Sequence, residues 1–380
     1  MVFFIYKKHS LKCFGLFFML FQFMGQSQNE FVDYRSVTNP LYWKNRKPIE
    51  GYWQQDVHYL IKAELNDSTD VVSGTEELIY WNNSPNTISF VYFNLYNNAQ
   101  TKDSYASNLY KNNGYNLKYG KYRSKNLGTV VETIKINGQD LKTELDNTIL
   151  KVYLNKPLNS GESITFDLNF KTYFDQEAIR NRMKLFNSFG KKHFDIVHWY
   201  PRISVIDQKF GWTTDQHMDH EFYGDFGSYH VEMTLPNDYI ADATGVLINE
   251  KEVLPDTLRK KLDIRNFAQK QYNSPPSTII KKDGTKKTWK FSAINVHDFA
   301  LTTDPNYRIG ETNWNGVRCI ALVQEPHAAA WQNTSNFIGK VLETNSYNIG
   351  PYHHPKMIVA DAQDGMEYPM LTLCGELYCF

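Results

Sequence analysis

Eleven histidines invite a search for a metal site. The densest cluster is His217-Met218-Asp219-His220-Glu221, with His230 shortly after. A zinc-peptidase helix places two histidines at i and i+4 with a glutamate between them, so that both imidazoles face one ion and the carboxylate faces its water. Here the histidine spacing is three, Glu221 follows both, and Phe222-Tyr223-Gly224-Asp225-Phe226-Gly227 are poor helix formers. The cluster reads as a structural corner between strands, and no metal ligands are assigned. His353-His354 stands beside Pro355, and adjacent side chains point apart in regular structure, so that pair reads as a solvated turn. No serine sits in a Gly-x-Ser-x-Gly turn and no glycine-rich loop precedes Lys-Ser or Lys-Thr, which leaves nucleophilic and nucleotide chemistry without support. Cys319, in the apolar run 317–323, reads as a small core residue.

Binding chemistry concentrates instead in Gly365-Met366-Glu367-Tyr368-Pro369-Met370-Leu371-Thr372. A glycine before a strand lets another backbone come close, and a strand edge can take up an extended peptide through main-chain hydrogen bonds. Glu367 would point at whatever that peptide presents. A lone carboxylate at the inner end of a cleft suits an α-ammonium group, which would fix the register at the terminal residue.

Sheets are the elements that must position this stretch. Aromatic residues make up 15% of the chain, with 25 Tyr and 24 Phe, and such residues suit half-buried pleated surfaces. From about Tyr52 to Leu235 the pattern is period two. Val57, Tyr59, Ile61, Ala63 and Leu65 alternate with more polar neighbours, as do Ile164, Phe166, Leu168 and Phe170, and then Tyr229, Val231, Met233 and Leu235. Asn137-Gly138 takes the positive φ angles of a tight hairpin turn. These signals predict an antiparallel sandwich or open barrel. Residues 97–126 and 251–287 are polar and aperiodic and read as loops. Near Glu325 the period changes: Trp331, Phe337, Ile338, Val341 and Leu342 predict an amphipathic helix with Pro326 in its first turn and Gly350-Pro351 past its end. Met357-Ile358-Val359-Ala360 follows as a buried strand, with a polar loop from Asp361 to Asp364.

At 380 residues, two domains are expected, because single cores stop growing at roughly 250–300 residues. Basic and acidic residues balance at 41 each, so no strong field draws the chain to nucleic acid. Lys7, Lys8 and Lys12, an apolar run from Cys13 to Met24, and then Gly25-Gln26-Ser27 have the order of a cleaved secretory signal over residues 1–27. That run, interrupted by Gln22, is shorter than the roughly 20 residues a membrane span needs, so a secreted or periplasmic protein without a stable span is expected. Cys319, Cys374 and Cys379 are too few for a dense disulfide framework.

Gly365-Met366-Glu367-Tyr368-Pro369 resembles the Gly-x-Met-Glu-Asn motif of the M1 family of zinc aminopeptidases, in a Tyr-Pro variant of bacterial secreted members. His198-Trp199-Tyr200-Pro201, Gly211-Trp212, Glu221-Phe222-Tyr223-Gly224-Asp225-Phe226, Val296-His297-Asp298-Phe299-Ala300 and Gly350-Pro351-Tyr352 resemble the same family in consistent order, from Asn39 to Leu373. The resemblance implies a mainly β architecture: an antiparallel β-sandwich or saddle domain over residues 28–307, then the start of a thermolysin-like α/β catalytic domain over 308–380. It implies peptide substrates with a free N-terminus, with Glu367 on the amine, Gly365 and Met366 offering backbone groups, and Tyr368 lining the same edge.

Zinc serves the intact family, held by His-Glu-x-x-His and a later Glu, with a Tyr steadying the oxyanion. None of these appears: His220-Glu221 is the sole His-Glu pair, and Gly224 stands at the second histidine's place. Asp364 replaces a small residue of the motif, and Glu376-Leu377-Tyr378-Cys379-Phe380 departs from the family. A truncated, inactive aminopeptidase is therefore expected, its catalytic residues missing. A part-domain of about seventy residues would leave the apolar faces of the Trp331 helix and the Met357 strand uncovered, so proteolysis is expected to trim the chain near Tyr307. The competing expectation is an exported, non-enzymatic sandwich module that binds peptide or carbohydrate through Tyr105, Tyr110, Tyr115, Tyr119 and Tyr122.

Overall fold

The computed structural model describes residues 33–175, 183–218, 223–362 and 365–375. The expected leader, Asp219, His220, Glu221, Asp364 and the last five residues lie outside them.

Alternation at period two builds the largest sheet. β1 (Asp56–Asn66) and β2 (Val71–Trp81) pair antiparallel, with Val57, Tyr59, Ile61, Ala63 and Leu65 all buried. Helix α1 (Tyr105–Asn112) follows in a long insertion. β3 (Ser163–Tyr173) pairs antiparallel with β2, β4 (Gly227–Pro236) lies parallel to β1, and β5 (Lys286–Val296) is antiparallel to β4. Thr129–Ile136 and the two-residue strands Gln139–Asp140 and Val246–Leu247 complete eight. Phe166, Leu168, Phe170, Tyr229, Val231, Met233 and Leu235 are buried, as their alternation predicts. The turn at Asn137 and Gly138 has φ of 50° and 76°, the two positive angles of a type I′ hairpin.

One pairing departs from the antiparallel expectation. β1 and β4 run parallel because a long excursion, not a hairpin, joins them. Their backbones meet at Gly227, where a Cβ would lie 2.1 Å from the Val57 carbonyl oxygen, so only glycine fits.

Two four-stranded sheets close the sandwich. One runs Ile240–Ala243, Leu301–Asp304, Lys191–Ile196, Lys184–Ser188, and the other Arg202–Ile203, Ile88–Asn94, Ile149–Leu158, Thr143–Asp146. The segments read as loops are partly helical. α1 is capped by Ser104, whose Oγ accepts from the Ser107 N–H at 3.0 Å, and Glu250–Val253 and Asp256–Leu262 form short helices. One or two turns offer too few apolar positions for a 3.6-residue period to show.

The last sheet opens at Tyr307. It comprises β6 (Tyr307–Trp314), β7 (Val317–Gln324), β8 (Lys356–Ala362), β9 (Met366–Tyr368) and β10 (Leu371–Gly375), with helix α2 (Thr334–Asn348) between β7 and β8. Their order is β6-β7-β8-β10-β9, with β7–β8 and β8–β10 parallel. Pro326 sits in a separate 3-10 turn, Glu325–His327, and Trp331 precedes α2, buried with Ile264, Val323 and Cys374. Ile338 and Leu342 bury against Val317 and Cys319, whereas Phe337 and Val341 stay exposed.

The other face of this sheet does not stand apart from the sandwich. Ile320, Ile358, Ala360, Met366, Tyr368, Leu371 and Leu373 belong to one core with Leu185, Phe194 and Leu301. Ion pairs add to the junction: Lys356 Nζ to Asp242 at 2.5 Å and Arg318 to Glu250 at 3.0 Å. Lys356 is 3% exposed, so its ammonium depends on Asp242 for compensation.

Candidate functional site

β9 is the edge strand of the last sheet. Met366 pairs with Leu373, Glu367 with Thr372 and Tyr368 with Leu371 across a two-residue turn of Pro369 and Met370. Proline sets the first turn position, and Met370 takes φ of 66° at the second. Met366 and Tyr368 point into the core, 3% and 6% exposed, so alternation leaves Glu367 on the opposite face, exposed. The Glu367 carboxylate has no hydrogen bond or ion pair among the described residues.

Backbone directions follow from the ladder beside it. Ile358 is in register with Leu371, and its N–H donates to the Met370 carbonyl at 2.9 Å. In a parallel pair this turns the N–H and C=O of Thr372 towards β8 and those of Leu371 and Leu373 towards β9. Tyr368 and Met366 are then the hydrogen-bonded partners, and the N–H and C=O of Glu367 point outward along the edge. No described strand pairs there. Gly365 precedes β9, and among the described residues nothing lies within 4 Å of where a Cβ would stand. An approaching peptide backbone would use that space.

Thr372, the cross-strand neighbour of Glu367, shares its face. Thr372 and Cys374 line a cavity of about 1090 Å³ whose other walls include Met357, Val359, Phe337, Trp43 and Tyr52. Glu367 therefore lies on the sheet face that bears this cavity, without itself lining it. His353 is exposed and His354 half-buried at the rim, where burial and the neighbouring His353 hold the His354 imidazole below its ordinary range.

A buried polar chain fixes the strand that leads to this edge. Asp361, near the end of β8, accepts from the Gln324 N–H at 3.2 Å and is 2.7 Å from His327 Nδ1. Its carbonyl accepts from the Tyr307 hydroxyl at 3.1 Å. That hydroxyl is 2.7 Å from Thr302 Oγ1, which donates to Asp195 at 2.7 Å. His193 lies between Asp195 (2.9 Å) and Asp304 (3.0 Å). Burial alone would depress the His193 pKa, but Asp195, by charge and hydrogen bond, and then Asp304 raise it to about 10, so the site holds an imidazolium. Sequence reading passed over this chain. His193 and Asp195, two apart on one strand and so on one face, were its available signal.

The remaining candidates fall elsewhere. His217 is buried, its ring 5.0 Å from Tyr96 and 5.3 Å from His198, while residues 219–222 lie outside the described residues. Cys319 is fully buried and free, a core residue as expected. Among the described residues no three His, Cys, Asp or Glu side chains converge as a metal would need, so the donors here do not fit a zinc ion.

No family model and no curated protein matches the sequence. Solved structures do share the fold. An M1 zinc metallopeptidase from Deinococcus radiodurans is 16% identical with a TM-score of 0.50, over 85% of this chain and 60% of that one. A variant of that enzyme bound to a Tyr-Ser-Ala substrate has the same identity and score, over 86% of this chain and 61% of that one. A two-domain M1 zinc metallopeptidase variant bound to L-tryptophan matches at 16% identity and 0.50, over 85% and 61%. The chain therefore spans about three fifths of the length of these structures, and at this identity the likeness is one of fold.

Proposed function

We propose that this chain supplies the sandwich and the substrate-gripping edge of an M1-type metallo-aminopeptidase, with residues 28–307 as the N-terminal domain and 308–380 as the beginning of the catalytic domain. The observation that carries the reading is Glu367: an exposed carboxylate, unpaired among the described residues, on an edge strand where its own backbone groups face outward, on the sheet face that bears an apolar cavity. An extended peptide pairs along the edge, and Glu367 meets its α-ammonium group with a charge-assisted hydrogen bond. Gly365 and Met366 lie where the peptide backbone passes. The fold likeness supports this, since its neighbours were solved with an amino acid or a peptide bound.

In the intact family, zinc supplies an activated water and polarises the scissile carbonyl. Among the described residues no three His, Cys, Asp or Glu side chains converge on one point, and the described part of the chain is read as supplying the substrate grip and not the cleavage. An exported location completes the reading.

The test uses residues 28–380 with Tyr-Ser-Ala and its N-acetylated form in calorimetry, and amino-acid anilides with added zinc. The free-amine peptide should bind more tightly than the acetylated one, and no chromophore should be released. Equal affinity for both peptides would overturn the amine role; appreciable turnover would overturn the inactive reading.

A further inference from the structure

The insertion over residues 97–126 departs sharply from the charge balance of the chain. It holds Lys102, Lys111, Lys118, Lys121, Arg123 and Lys125 against one acid, Asp103, whereas basic and acidic residues are equal overall. Arg123 is fully buried and serves as an anchor, donating to Asn97 Oδ1 at 2.7 Å, while the Asp175 carboxylate accepts from the backbone N–H groups of Tyr122 and Arg123 at 3.1 and 2.7 Å. Lys121 is paired with Asp70. Lys102, Lys111, Lys118 and Lys125 are exposed and carry no ion pair among the described residues, and Asp103 is occupied by the Asn126 amide at 2.7 Å.

Aromatic rings and amides are interleaved with these charges. Tyr105 and Tyr115 are 48% and 51% exposed, and Asn108, Asn112, Asn113 and Asn116 are exposed beside them. Contacts tie the parts together: Lys111 Nζ donates to the Lys102 carbonyl at 2.7 Å and lies 5.5 Å from the centre of the Tyr119 ring. We infer that this surface binds an acidic polysaccharide. Lysine ammonium groups meet its carboxylates, tyrosine faces stack on the C–H faces of its sugar rings, and asparagine amides bond its hydroxyls. Lysine ammonium groups would meet phosphates as readily as carboxylates, but four exposed asparagine amides suit a ligand rich in hydroxyls, which a single strand of DNA and a phospholipid surface present sparsely.

The experiment is affinity electrophoresis of the whole chain through gels containing polygalacturonate or dextran, with titrations of single-stranded DNA and of phosphatidylglycerol vesicles alongside. Polygalacturonate should retard the protein and dextran should not. The quadruple variant K102E/K111E/K118E/K125E should bind polygalacturonate at least about tenfold more weakly. A variant with equal charge change elsewhere, K47E/K62E/K156E/K251E, should bind like the parent; all eight positions are exposed, and thermal melts of both variants separate lost binding from lost folding. Equal loss in both variants, no retardation at low salt, or tighter binding to DNA or vesicles would each overturn the assignment. Glu367 takes no part, so this result stands or falls apart from the peptide-binding one.

Discussion

Glu367 and Thr372 face each other across the last hairpin, the carboxylate exposed at the open edge and the threonine at the wall of the cavity. The pair sets one charge at the meeting of a strand edge and an apolar hollow. A charge placed so gains strength when a bound peptide excludes water from it.

Replacing Glu367 by Gln keeps shape and removes charge. Affinity for Tyr-Ser-Ala should fall roughly ten- to a hundredfold, the range for a hydrogen bond to a charged group, while the acetylated peptide is unaffected. Melting temperature should not move, because Glu367 has no hydrogen bond or ion pair among the described residues. Calorimetry and thermal melts read the two effects separately.

Gly365→Val should leave stability within about 0.5 kcal/mol, as for an ordinary surface substitution, because no described residue lies within 4 Å of its Cβ position. Peptide binding should nevertheless weaken, since the new side chain fills the path of the approaching backbone. A stability loss without a binding loss would assign this glycine to the fold.

At Gly227 the opposite holds. A Cβ there meets the Val57 carbonyl, so Gly227→Ala should force β1 and β4 apart and cost about 3 kcal/mol or more, the scale of severe overpacking. Denaturant unfolding should show a lower midpoint.

The imidazolium of His193 gives a pH signature. Its folded pKa of about 10 lies above the ordinary 6.5, so its stabilisation is complete below about pH 6.5 and disappears as pH rises through 10. His193→Gln should cost roughly 3–5 kcal/mol near pH 6.5, as when one partner of a buried ion pair is removed. The gap between parent and variant should close by about pH 10. A gap constant across that range would show that His193 is neutral in the fold.

The strands were the most legible part of the sequence, because period-two burial is a local property: Val57 to Leu65 and Tyr229 to Leu235 declare their inner faces without reference to any partner. Which strands adjoin is not local, and the parallel pairing of β1 with β4 had no sequence mark beyond Gly227 itself. The start of α2 was misplaced because Trp331 satisfies helical spacing while packing from a turn against Ile264. At the candidate site, the carboxylate, the glycine and the alternation of Met366 and Tyr368 could be read directly. Its support could not: Tyr307, Asp361 and His193 are far apart in sequence and joined only by folding.

Trimming near Tyr307 was expected of a part-domain with uncovered faces. The uncovered residues are present, Phe337 and Val341 among them, but the opposite face of the sheet is fused to the sandwich. Limited proteolysis should therefore retain Glu367 in the resistant core.

The shared core has a mechanical consequence. Met366 and Tyr368 are rooted among the same side chains as the strands of the sandwich, so the edge that would grip a ligand cannot flex as a flap or lid. It has the stiffness of a jaw bolted to its frame. A pull on a captured peptide would be borne by the whole β-structure, and the edge should yield only when the sandwich itself gives way.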